Sequence, residues 1–139
     1  MPVETHTIRV STKSGLDMQD ITSLIEERLE NGKISSGIVT IFVPGSTGSV
    51  STIEYEPNLL KDFERIMEKI APSDAEYLHH RTWGDRNGHS HVRASLMGPS
   101  LTVPFKDKKL LLGTWQQIVL LDFDVPARKR EIILQVVGE

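Results

Sequence analysis

The chain has 139 residues and not one cysteine. That absence excludes disulfides and thiolate chemistry, so any metal must rest on histidine, carboxylate or backbone oxygen. An excess of one charge is missing too. Sixteen Lys and Arg oppose nineteen Asp and Glu, a net of −3, which is too balanced to suggest a nucleic acid or an anionic membrane as partner. The opening "MPVETHTIRV" lacks the basic-then-apolar pattern of a signal peptide. No apolar run approaches the ~20 residues that span a bilayer. The cytoplasm is the expected compartment. Linkers, internal repeats and low-complexity segments are also absent, and the length suits one domain, residues 1–139.

What is present alternates between two periodicities. "ETHTIRVST" alternates about Ile8 and Val10, as a half-buried strand does. In "SGLDMQDITSLIEERLENGK", Met18, Ile21, Leu24, Ile25 and Leu29 recur at helical spacing, with Asp17 as N-cap and Gly32 as stop. "GIVTIFV" (37–43) is continuously apolar and β-branched, which suits a strand buried on both faces. After "PGSTG", the run "SVSTIEY" reads as another strand. Pro57 opens a second helix through Leu59, Leu60, Phe63, Ile66, Met67 and Ile70, and Pro72 ends it. From residue 89 onward the chain reads as strands, with a turn at "KDKK" and a break at Gly113. Two helices and about eight strands give an α+β fold, with two packed, mainly antiparallel sheets rather than one long open sheet.

Four of the five histidines fall within residues 79–91, in "LHHRTWGDRNGHSH". If "HSHVRASLM" is a strand, residues two apart share a face at a separation of roughly 6.6 Å. His89, His91, Arg93 and Ser95 then line one side, while Ser90, Val92, Ala94 and Leu96 face the core. Two imidazoles so placed can converge on one ion, with His79 or His80 closing the set from across the loop. Three histidines and an open position form a catalytic-zinc pattern, and Arg93 beside them suits a phosphate. The competing expectation is a solvated polar strand face with His79 and His80 in an ordinary loop.

Three other stretches carry alternatives. "VPGSTGS" (43–49) can form a backbone nest for an anion, although an ordinary hairpin turn is the simpler expectation. It is not a Walker A loop, since no Gly-Lys-Ser/Thr follows. Glu54 in "VSTIEY" faces solvent, or serves as a general base if it meets the histidines. Trp115 in "GTWQQ" is expected in the core, and "PARKREI" (126–132) as a solvated basic turn.

The combination "NGHSHVRASLMGPSLTVPF", "LLLGTWQQIVLLDFD" and a basic turn into the terminal "REIILQVV" resembles the YjbQ-like family, called secondary thiamine-phosphate synthase enzymes. The resemblance runs nearly the whole chain, and its most specific pieces are His91–Ser95 and the GTWQ at 113–116. It implies a homotrimer with a histidine-built site near subunit boundaries and a bound divalent metal, zinc first, with magnesium suited to a diphosphate substrate. Carried over by position, His79 and His91 match family histidines and Glu54 a strand glutamate. One departure is visible: many members read PHTTAG where this chain reads "PGSTGS", so Gly45 replaces a histidine; either His89 substitutes as a ligand or the site binds an anion without metal. The expectation is then a small phosphorylated substrate, a metal at His79, His89 and His91, and catalysis by Glu54, Arg93 and His91. The implied activity joins hydroxymethylpyrimidine diphosphate to thiazole phosphate. A metal-dependent hydrolase and a non-catalytic metal- or anion-binding trimer are the alternatives.

Overall fold

A computed structural model describes all residues, Met1–Glu139. Eight strands and three helices follow in the order β1 (Val3–Ser11), β2 (Asp17–Asp20), α1 (Thr22–Asn31), β3 (Gly37–Phe42), β4 (Gly48–Ile53), α2 (Pro57–Ile70), a 3₁₀ turn (Leu78–Arg81), α3 (Gly88–Met97), β5 (Ser100–Lys106), β6 (Lys109–Leu110), β7 (Gln117–Asp122) and β8 (Lys129–Gly138). The strands form a five-stranded sheet ordered β1-β8-β3-β5-β6 and a three-stranded sheet ordered β2-β7-β4. Every pairing is antiparallel. The α+β architecture with two packed sheets is as expected, with three helices in place of two.

The strand buried on both faces is β7, not β3. Ile118 and Leu120 enter the main core with Val39, Ile41, Leu134 and the α1 residues Ile25 and Leu29. Val119 and Leu121 point the other way, into a second cluster with Met67 of α2 and Ala94 of α3. Strand β3 leaves Ile38 and Phe42 exposed on the outer face of the larger sheet. Both runs are continuously apolar, and only the layer beyond each strand separates them. Here α2 and α3 cover the smaller sheet, while the corresponding outer face of β3 is open.

Two further expectations are corrected. Residues 17–20 extend along β7 as β2, and helix α1 starts only at Thr22. Asp17 is therefore not its N-cap; Asp20 instead accepts from the Thr22 N–H at 3.0 Å. The 43–47 segment is no hairpin, because β3 pairs with β5 and β8 whereas β4 pairs with β7. It is a crossover between sheets. Helix α2 does begin at Pro57, where Glu56 caps it by accepting from the Leu59 N–H at 2.6 Å.

Candidate functional site

The decisive local difference is at residues 88–97, which form helix α3 and not a strand. Its buried positions, His89, Ser90, Arg93 and Ala94, follow i, i+1, i+4, i+5, a helical stripe. Successive helical residues turn by about 100°, so His89 and His91 point about 200° apart. The ground for joining them on one ion is removed. His91 instead faces His79, with ring centroids 4.6 Å apart. His89 lies inside, 6.4 Å from the Tyr77 ring. Burial and the neighbouring Arg93 hold its pKa below the usual histidine value, which favours the neutral ring.

The 3₁₀ turn is locked onto α3 by a close approach. A Cβ at Gly88 would lie 2.6 Å from the Tyr77 Cβ, so no larger residue fits where α3 starts. Tyr77 is fixed in turn by its hydroxyl, which donates to the Pro72 carbonyl at 2.6 Å. His80 accepts from the Gly88 N–H through Nε2 at 3.3 Å and meets the Tyr77 ring edge-on. His80 is thus turned toward the 77–89 packing, leaving His79 for the cleft. Behind α3, the Ser90 hydroxyl donates to the Phe123 carbonyl and the Ser49 hydroxyl to the Ala94 carbonyl, at 2.5 and 3.0 Å.

Around His79 and His91 opens a cleft of about 310 Å³, lined also by Thr47, Trp83, Asp85, Asn87, Asp124 and Arg128. Its floor is an ordered polar network. Buried Asp124 accepts from Arg128 Nε at 2.8 Å, Thr47 Oγ1 at 3.1 Å and Asn87 Nδ2 at 3.4 Å. Burial alone would raise the Asp124 pKa, but hydrogen bonds from Arg128 foremost, then from the Val125 N–H and Asn87, outweigh it and hold the carboxyl below its ordinary value. Four buried atoms, Nδ1 of His79, His80 and His89 and Oδ1 of Asn87, have no hydrogen-bond partner in the protein, and of these residues His79 and Asn87 line the cleft. Trp83 is 63% exposed and forms one wall.

The remaining candidates sit elsewhere. Arg93 is buried, with Nε on the Ala71 carbonyl at 3.0 Å and Nη2 on Glu68 at 2.7 Å. Its guanidinium faces the end of α2 and cannot meet a diphosphate beside His91. Glu54 is exposed just past β4. At about 3.3 Å per residue it lies roughly 20 Å along the strand from the cleft end at Gly48, so it does not meet the histidines of its own chain. Trp115 is exposed and not a core residue. The segment 126–132 is only partly a solvated turn, since Arg130 is buried against Asp122.

Asn87, Asp124 and Arg128 are the residues that the sequence reading passed over. The signal available was the acidic pair "DFD" at the end of β7 followed by R-x-R at the start of β8. Period-two spacing in a strand puts Arg128 and Arg130 on one side, toward Asp124 and Asp122 respectively.

Comparison with known proteins places this arrangement in a defined group. The family described as UPF0047 protein YjbQ-like matches residues 6–139. A UPF0047 protein of Methanothermobacter thermautotrophicus is 38% identical over 139 residues, covering all of this chain and 95% of that one. UPF0047 protein YugU of Bacillus subtilis is 31% identical over 95% of this chain and 98% of its own. A crystal structure of a YbjQ-like protein of unknown function from Sulfolobus solfataricus superposes with a TM-score of 0.92 at 32% identity, over 99% of both chains. The expected thiamine-phosphate synthase activity is corrected by these findings. The relatives are named only as UPF0047 or YjbQ-like proteins, one of them expressly of unknown function, and nothing in them favours a hydrolase either. With the match running along nearly its whole length, the chain belongs to the UPF0047, YjbQ-like family.

Proposed function

We propose that the cleft binds a divalent cation, zinc before magnesium, on His79 and His91, and that a small phosphorylated molecule completes its coordination. The observation that carries this reading is the facing imidazole pair, 4.6 Å between centroids, with the buried His79 Nδ1 lacking any protein partner. An orphaned buried polar atom in a native fold calls for a water, an ion or a ligand. No three His, Asp or Glu side chains converge on a common point. The protein therefore contributes two nitrogens, with the Asn87 carbonyl oxygen beside them, and coordination is left open to an incoming ligand.

Zinc titration of metal-free protein by calorimetry tests this. His79→Ala and His91→Ala should each weaken binding by more than about 100-fold, since even loss of an outer-shell partner costs up to about that much. His89→Gln should leave the affinity near that of the wild type, because His89 faces Tyr77. Equal affinity in the wild type and the two alanine variants rejects the proposal.

The same reading keeps a homotrimer in the cytoplasm, where a chain without cysteine has nothing to lose to reduction. Apolar residues left uncovered, among them Val92 and Leu96 one turn apart on α3, Trp115 and Phe42, support self-association. Sedimentation equilibrium should give three times the chain mass at micromolar concentration, and a monomer there removes this part of the proposal.

A further inference from the structure

The crossover at residues 43–47 has a property that the cation site does not use. None of the N–H groups of Gly45, Ser46 and Thr47 donates to an acceptor in the protein. The flanking groups are satisfied: the Val43 N–H donates to the Pro99 carbonyl at 2.8 Å, and the Thr47 carbonyl accepts from the Phe123 N–H at 2.9 Å. The turn is pinned at both ends and presents three consecutive free donors.

A buried guanidinium lies directly against this turn. Arg130 is 8% exposed, and its Nε and Nη2 are taken by Asp122 and Thr47. Its Nη1 has no protein partner and lies 3.2 Å from where a Gly45 Cβ would stand, while a Gly48 Cβ would come within 3.3 Å of Cζ. Gly45 also has a φ of +118°, a conformation that L side chains rarely adopt. A side chain at either position would push the turn off the arginine. Asp122 balances the charge from the interior side, so the free Nη1 edge is the positive end of the pair, and it faces the turn.

The cavity in front of the turn is separated by charge from the rest of the cleft. About 260 Å³ in volume, it is lined by Gly45, Ser46, Gly48, His91 and Ser95 among others, with no carboxylate. The adjoining space holds His79, Asp85 and Asp124. Ser46 and His91 border both. One half is thus built for a cation and the other for an anion, with His91 between them.

We infer that the 44–48 turn is an oxyanion subsite that takes the phosphoryl end of the ligand, a specialisation that rests on the reading of the cleft given above. The Gly45 and Ser46 amides and the Ser46 and Ser95 hydroxyls line this cavity, and the Arg130 guanidinium lies behind Gly45 and adds positive charge. A phosphoryl group, with three strongly accepting oxygens and up to two negative charges, suits that set. Successive free amides of a turn form an anion-binding concavity of this kind. Gly45 is central to it, because its missing side chain lets the turn close onto the guanidinium behind it.

The test is a titration of metal-free protein with inorganic phosphate, followed by amide resonances. The Gly45, Ser46 and Thr47 signals should move saturably and more than any others. Ser46→Asp and Ser95→Asp, both at exposed positions, place a carboxylate in the anion half and should weaken phosphate binding at least tenfold. His79→Ala should lose zinc yet keep the phosphate response within about threefold, since His79 lines only the cation half. The inference is overturned if the three amides stay still up to tens of millimolar phosphate, or if both aspartate variants respond as the wild type does. Zinc titration of the same samples separates the two readings: failure to bind zinc with the amide response intact removes the cation site and leaves the oxyanion subsite standing.

Discussion

Replacing Asp122 by alanine is expected to destabilise the protein by about 3–5 kcal/mol, the range for stranding one member of a buried ion pair. Asp122 is fully buried and holds Arg130 through two bonds, Nε to Oδ2 at 3.0 Å and Nη2 to Oδ1 at 2.8 Å. It also accepts from the Thr12 hydroxyl at 2.6 Å and the Asp124 N–H at 3.0 Å. Removing the carboxylate leaves the buried guanidinium charge unbalanced, with only the Thr47 hydroxyl as acceptor, and strands the Asp124 N–H, so water must enter or the structure must open. The cost should shrink when the charge is removed from both sides. A double variant, Asp122→Ala with Arg130→Met, should recover a large part of the loss, because an apolar pair has no desolvation to repay. Denaturant midpoints at one fixed protein concentration measure both effects. A single variant as stable as the wild type would mean that the pair is solvated and that the buried arginine behind the 44–48 turn is wrongly placed.

Whether an element could be read from its residues depended on whether one local pattern had one physical outcome. Helix α2 was legible because Pro57, an acidic cap and a long amphipathic repeat all agree. Strands β5, β7 and β8 were legible from their apolar, β-branched runs, and so was the turn at Asp107 and Lys108, both with positive φ, whereas the apolar stretch 111–113 reads as strand and is loop. The α3 segment was not legible. In "HSHVRASLM" both a period of two and a period of four leave plausible faces, and over a ten-residue window they are hard to tell apart. The strand reading buried Val92 and Leu96; the helix exposes them and buries His89 and Arg93 instead. That one change moved every inference built on the face, from the partner of His91 to the role of Arg93. The cleft itself was half visible, through the crowding of histidines about a Gly/Asp/Asn loop. Its floor was not, since Asp124 and Arg128 reach it only through the packing of β7 and β8 against the 43–47 crossover, a non-local fact.

Arg93→Ala should lower stability by about 2–4 kcal/mol and leave zinc binding near wild type, the reverse of what a phosphate-binding arginine would do. The side chain is 3% exposed and spans from α3 to the end of α2. Its Nε satisfies the carbonyl of Ala71, the C-cap residue of α2, and its Nη2 pairs with Glu68 one turn earlier. Truncation leaves a buried carbonyl without a donor and opens a hole between two helices. Arg93→Met, which restores the packing but not the donors, should fall between wild type and alanine. Glu68→Gln should cost under about 1 kcal/mol, since its side chain is 44% exposed and water screens the pair. Burial pushes the Glu68 pKa up, but bonds from Arg93 and Ser73 prevail and hold it below the ordinary value. With the folded-state pKa depressed, the contribution is complete above the unfolded value of about 4.3 and is lost as pH falls through the folded one. The acid limb of the stability profile should therefore be shallower in Arg93→Ala, which no longer has that bond to lose. Unfolding midpoints between pH 3 and 7, beside a zinc titration, decide the matter: an Arg93→Ala protein with wild-type stability but impaired ligand binding would put the guanidinium in the cleft and not under α2.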